Sequence, residues 1–198
     1  MFYRPENGHG LPHNPLNAIV APRPIGWIST RGRMGDNLAP YSFFNLTAYV
    51  PPQVMFASTS TKSDRPGTKD SVAQIAETRV FCVNIADGPL KDQVNASSAP
   101  LPAGVNEFEA AGIEAAECQT IDCPRVAGAA AALECRATRI LRLAGEANFM
   151  VLGVVTGIHL REDCLKDGRF DLHATGWLSR MGYKDYTITN ETFEMERP

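Results

Sequence analysis

The chain has 198 residues, 44% of them hydrophobic and 21% charged, with a formal net charge of −3. That length fits one domain with short appendages, and the apolar content supplies a sizeable core. The acidic balance offers nucleic acid no basic face, no apolar run nears the roughly 20 residues that cross a bilayer, and MFYRPENGHG has no signal-peptide core. The expectation is therefore a cytoplasmic protein with neither nucleic-acid nor membrane partners.

Residues 1–17, rich in Pro, Asn, Gly and His, read as an irregular arm, and 18–198 as the domain. Ile25 to Thr30 reads as the first strand, and RGRMGDN as the turn after it. Tyr41 to Asn45 and Val54 to Ser58 read as two more strands, split by Pro51 and Pro52. SVAQIAETR carries a Ser-x-x-Gln capping box at Ser71 and Gln74, with Val72, Ile75 and Ala76 at helical spacing. VFCVNIA is a strand with Phe81, Val83 and Ile85 on one face. Helix-compatible stretches follow at Pro89 to Ser98 and in NEFEAAGI.

In LECRATRILRL, Leu133, Cys135, Ala137, Leu141 and Leu143 alternate with Glu134, Arg136, Thr138 and Arg142, which predicts one buried and one wet face; only Arg139 breaks the parity. FMVLGVVTGIHL is apolar on both faces, as a central strand is, and Gly153 and Gly157 suggest bends or close backbone approach. Asp167-Gly168 predicts a hairpin turn. Many strands and few helices give a mainly β fold (α+β), an antiparallel barrel or sandwich. Neither GxGxxG nor GxxxxGK[ST] is present.

Five cysteines without an export signal read as reduced thiols; Cys118 and Cys123 are the closest pair, without zinc-ligand spacing or a nucleophile's context, so no metal is expected. None of the four histidines has a metal-like partner at helical spacing.

Four stretches could carry chemistry, and each has a plainer reading. In APRPIGWIST, Pro22 and Pro24 stiffen the chain around Arg23, and Gly26 would let a flat ring approach the backbone; equally, the prolines could guard an edge strand. NLAPYSFFN mixes amides, hydroxyls and aromatics, which suits a planar ligand with polar edges, or a hydrophobic turn. STSTKSDRPGTKDS runs hydroxyls and cations into a helix start, an anion site or a solvated loop. In RMGYKDY, Arg180 could face a ring edge or an anion, or lie on the surface beside packed tyrosines.

Taken in order, RPIGWIST, NLAPYSFFN, PPQVMF, KDS with its helix, FCVNIA, NEFEAAGI, LEC, MVLGVVTGIHL and RMGYKDY resemble the flavin reductase-like family of FMN-binding split-barrel flavoproteins. The resemblance implies a split β-barrel with a few flanking short helices, and a homodimer. It implies FMN in preference to FAD, held by Trp27, Ile28, Ser29 and Thr30, by Asn37, Ala39, Tyr41 and Ser42, by Ser58, Ser60, Arg65 and Lys69 on the phosphate side, and by Arg180. Ser71 stands where the family more often has threonine. The implied activity is NAD(P)H-dependent flavin reduction, from NADH or NADPH, with electrons passed to oxygen, free flavin or a partner monooxygenase. The alternatives are an FMN electron-transfer protein reduced by a protein partner, and a non-enzymatic binding module on the same barrel. With the cofactor carrying the chemistry, no catalytic side chain is expected.

Overall fold

The computed structural model describes residues 1–61, 67–102 and 104–198. Its frame is a seven-stranded antiparallel sheet. In chain order its elements begin with α1 (Leu16–Ile19), β1 (Arg23–Pro24), β2 (Gly26–Gly32), β3 (Gly35–Tyr41), β4 (Phe44–Tyr49) and β5 (Pro52–Ser58). Then come α2 (Asp70–Thr78), β6 (Val80–Ile85), α3 (Lys91–Ala96), α4 (Glu107–Ala110), β7 (Ala115–Glu117) and β8 (Pro124–Val126). The chain ends with β9 (Ala131–Arg142), β10 (Phe149–Leu160), β11 (Leu165–Lys166), β12 (Arg169–Phe170), β13 (Leu178–Arg180) and β14 (Tyr186–Ile188). The large sheet runs β3-β2-β6-β9-β10-β5-β4, and β1-β13-β14 form a small one. Among the described residues no helix is long and apolar enough to cross a membrane.

The sheet curls so that its ends meet. Tyr41 at the end of β3 lies against Phe56 of β5, with ring centroids 4.8 Å apart. Inside the curl are Ile28, Phe44, Val54, Phe81, Val83, Cys135 and Val151. Val72 and Ile75 of α2 close this core, and burying each side chain is worth roughly 1.5–3 kcal/mol. The outer face buries Trp27, Leu38, Val94, Phe108 and Val126 under α3, α4 and the β7–β8 hairpin. Strand alternation produces the two layers: Ile28 points in while Trp27 points out, and Phe81 and Val83 point in while Cys82 points out.

Two segments far apart in the chain meet at Arg23. Its guanidinium donates to the carbonyls of Asn17 (2.5 Å), Val20 and Met181 (2.9 Å), tying the segment around α1 to the residue after β13. The expected hairpin at Asp167-Gly168 joins β11 to β12, with φ of 51° and 75°, the left-handed pair that such a turn requires.

The structure corrects four local expectations. Tyr41 to Asn45 is not one strand, and the residues from Asn37 are not a turn: Asn37 to Tyr41 belong to β3, paired residue for residue with β2 including Pro40 opposite Trp27, and β4 begins only at Phe44. Because β3 is an edge strand, a residue without an N–H is tolerated there. Ser71 does not cap its helix. The helix starts at Asp70 with Lys69 in the cap position, and the Ser71 hydroxyl instead accepts a bond from Asn37. The parity of β9 slips at Thr138, an extra residue between the pairs Leu152–Arg139 and Gly153–Ala137. Beyond that bulge Ile140 faces the core, while Leu141 and Leu143 are exposed.

Glu134, expected on the wet face of β9, is fully buried. It accepts from the backbone N–H groups of Gln119 and Thr120 (both 2.6 Å), from the Thr120 hydroxyl (2.5 Å), and pairs with His159 Nε2 at 2.5 Å. The loop after β7 covers that face, and the carboxylate satisfies the loop's donors. Burial works against the charge. The bonds from Thr120, Gln119 and His159 outweigh it and lower the Glu134 carboxyl to about 2. A depressed carboxyl stabilises the fold above its ordinary value near 4.5, and that contribution is lost as pH falls towards 2. Glu134→Gln is expected to cost about 2–4 kcal/mol in urea unfolding at neutral pH, with the gap to the parent narrowing below pH ~4.5.

Candidate functional site

A cleft of about 520 Å³ opens at the β3 edge of the barrel, a size within the ordinary range of small-molecule sites. One wall is β3, through Asn37, Ala39, Pro40 and Tyr41. The second is the segment after β5 and the start of α2, through Ser60, Thr61, Lys69, Asp70 and Ser71. The end of α3 and the residues after it supply Ser97 and Pro100, and α4 supplies Glu107.

A buried polar network fixes the first two walls together. Asn37 Nδ2 donates to Thr30 Oγ1 (3.2 Å) and Ser71 Oγ (3.0 Å); the Thr30 hydroxyl donates to Gln74 Oε1 (2.5 Å); Gln74 Nε2 donates to Gly35 O (2.8 Å). Each of these four side chains is at most 5% exposed, so none could stand there unpaired without a large penalty. The network sets the start of α2 beside β3. On the other side of β3 the Leu38 N–H, pointing away from β2, is taken by the Glu107 carboxylate at 3.0 Å. Trp27 braces the third wall from behind, its indole N–H donating to Ser97 Oγ at 2.9 Å.

The electrostatics of the cleft follow from its depth. Lys69 is half-buried, its ammonium 6.0 Å from the centre of the Tyr41 ring, and burial pulls its pKa down. Burial likewise pushes the Tyr41 phenol up to about 12, so it is neutral at physiological pH. The first N–H groups of α2 lie beside Lys69, whose own side chain does not cap them, at an end where a helix favours an anion.

The cleft gathers Asn37, Ala39, Tyr41, Ser60 and Lys69 of the residues expected from sequence. Ser58, buried, and Ser42, partly buried, do not line it. The side chains of Trp27, Ile28, Ser29 and Thr30 are entirely buried and stand behind it. The close approach expected at Gly26 is taken by the chain itself: a Cβ there would come within 2.8 Å of the Phe44 ring. Arg180 is apart from the cleft, on β13 opposite Arg23, lying over Tyr186 with its charge 4.5 Å from the ring centre and bonded to the Tyr183 carbonyl. Arg65 lies outside the described residues. Pro40 of β3 and Ser71 of α2 also line the cleft, and Ser97 and Glu107 arrive only through the folding of α3 and α4 onto the β3 edge, which no local pattern signals.

The chain matches the flavin reductase like domain over residues 20–177. An uncharacterized protein of Deinococcus radiodurans is 39% identical over 191 residues, covering 92% of this chain and 82% of that protein. Among solved structures, nitrilotriacetate monooxygenase component B from Bacillus cereus superposes with a TM-score of 0.84 at 27% identity, covering 95% of this chain and 100% of that one. The 2-nitrobenzoate 2-nitroreductase NbaA of Pseudomonas fluorescens gives 0.80 at 26%, covering 92% and 88%. With a mainly antiparallel curled sheet, few short helices and a family match across most of its length, this chain belongs to the flavin reductase-like family of split-barrel flavoproteins.

Proposed function

We propose that this protein is an NAD(P)H-dependent flavin reductase that holds FMN in the cleft along β3. The observation that carries this reading is the pairing, in one cleft, of an edge strand with the start of α2 and its half-buried Lys69. A planar ring with polar edges fits the strand, and a single phosphate fits the helix start. One anion locus favours FMN over a dinucleotide flavin.

Lys69, Ser60 and Thr61 would hold the phosphate, with the N–H groups at the start of α2. Asn37, Ala39 and Tyr41 would line the ring. The neutral Tyr41 phenol adds no negative charge beside it. When bound, FMN supplies two-electron chemistry, taking a hydride from NADH or NADPH and passing electrons to oxygen, free flavin or a partner protein. The chain's own residues orient the two rings, exclude water on the β3 side and supply fixed dipoles where negative charge develops. The Bacillus cereus relative is named as a monooxygenase component, which supports a partner monooxygenase as the consumer of electrons. A homodimer fits the bare apolar surface at the β4–β5 turn, where Tyr49 is 81% and Val50 94% exposed.

Anaerobic NADH or NADPH is expected to bleach the visible absorption of the FMN-loaded protein within the mixing time; an unchanged spectrum would leave a protein-reduced electron carrier as the better reading. Lys69→Ala is expected to weaken FMN binding by about 1–3 kcal/mol, measured by quenching of flavin fluorescence. Unchanged affinity would remove the helix start as the phosphate site.

A further inference from the structure

Three of the five cysteines meet on the far side of β2 from the flavin cleft. Cys82, on β6, and Cys123, just before β8, are wholly buried; Cys118, just after β7, is partly exposed. The Cys118 N–H donates to the Cys123 carbonyl at 3.1 Å, so the two face each other as the next step of the β7–β8 ladder. Such a pair spaces its Cα atoms about 5.5 Å apart, within the span that a disulfide bridges. Cys118 packs against the buried cluster that holds Cys82 and Cys123. The Cys123 thiol donates to Ser29 O at 3.3 Å and Pro124 O at 3.4 Å.

Cys118 looks onto an open cleft of about 960 Å³ whose walls include Arg31, Arg33 and Arg136. Bonds from Cys123 and Cys82 lower its thiol, and the nearby Glu134 charge opposes that while His159 assists. Cys82 and Cys123 are correspondingly raised. Cys118 is the accessible sulfur of the trio, with Cys123 opposite it on the hairpin.

We infer that Cys118 is a peroxide-reactive thiol and Cys123 its resolving partner, forming a site for small hydroperoxides separate from the flavin cleft. Only Cys118 of the three can be reached from solvent, and a small uncharged oxidant can reach a partly covered sulfur where a bulky disulfide lacks the in-line path. The Cys118 thiolate attacks one oxygen of ROOH; the O–O bond breaks, and RO⁻ leaves as ROH by taking a proton. Cys118 is then a sulfenic acid. The Cys123 sulfur attacks it, the S–O bond breaks, the S–S bond forms, and the Cys123 proton leaves with the hydroxyl as water. The peroxide has gained the two electrons that the two thiols lost. An external dithiol restores both.

The test is peptide mapping of the native protein after one equivalent of hydrogen peroxide, with the remaining thiols alkylated. The expected product joins Cys118 to Cys123, leaves Cys82, Cys135 and Cys164 alkylated, and reverts with dithiothreitol. Cys118→Ser should abolish peroxide consumption while FMN affinity stays unchanged, which separates this site from the flavin reading. Cys123→Ala should stop at a sulfenic acid trapped by dimedone; should that variant fail to fold, the map of the parent protein decides. Unmodified Cys118, a bridge to Cys82, or direct passage to sulfinic acid in the parent would overturn the inference.

Discussion

The site depends on four side chains that cannot face water. Thr30, Asn37, Ser71 and Gln74 satisfy one another and the Gly35 carbonyl between β2, β3 and α2. Buried amides and hydroxyls tolerate few arrangements, because each lost partner leaves a desolvated dipole. The network therefore holds the helix at one distance from the strand. An apolar contact would allow the helix to slide along β3; this set of bonds does not. The cleft's first two walls inherit their separation from it.

The barrel around this site was largely legible in the residues. Phe81, Val83 and Ile85 alternate as expected, and the doubly apolar run from Phe149 to Leu160 is the central strand that it resembles. Gly153 is bare because Phe81 fills its space, a Cβ there coming within 2.6 Å of the ring. Local pattern failed where tertiary structure intervened. The alternation of β9 was read through Thr138, and a bulge has no fixed residue signature, so Ile140 and Leu141 exchanged faces. Glu134 looked wet because its donors come from a loop some fifteen positions away, Gln119 and Thr120. The Ser71 capping pattern was present, but Asn37 claimed the hydroxyl.

The site was legible in part for a similar reason. Asn37, Tyr41, Ser60 and Lys69 lie on segments whose composition already suggested a polar, anion-accepting cleft. Trp27 to Thr30 are near it in sequence and in space, yet strand alternation and the overlying hairpin turn every one of those side chains into core. Glu107 and Ser97 were invisible because their role depends on how short helices dock. The cysteine trio is the same case: Cys118 and Cys123 carry no motif, and only hairpin pairing opposes them, while Cys82 arrives from another strand.

The clasp at Arg23 ties together segments that lie far apart in the chain. Its guanidinium is shared by carbonyls at Asn17, Val20 and Met181, residues separated by nearly the whole polypeptide. Loss of either the segment around α1 or the one after β13 would strip the same buried cation of acceptors, so damage to these two distant segments should look alike. The front and back of this molecule are, physically, one knot.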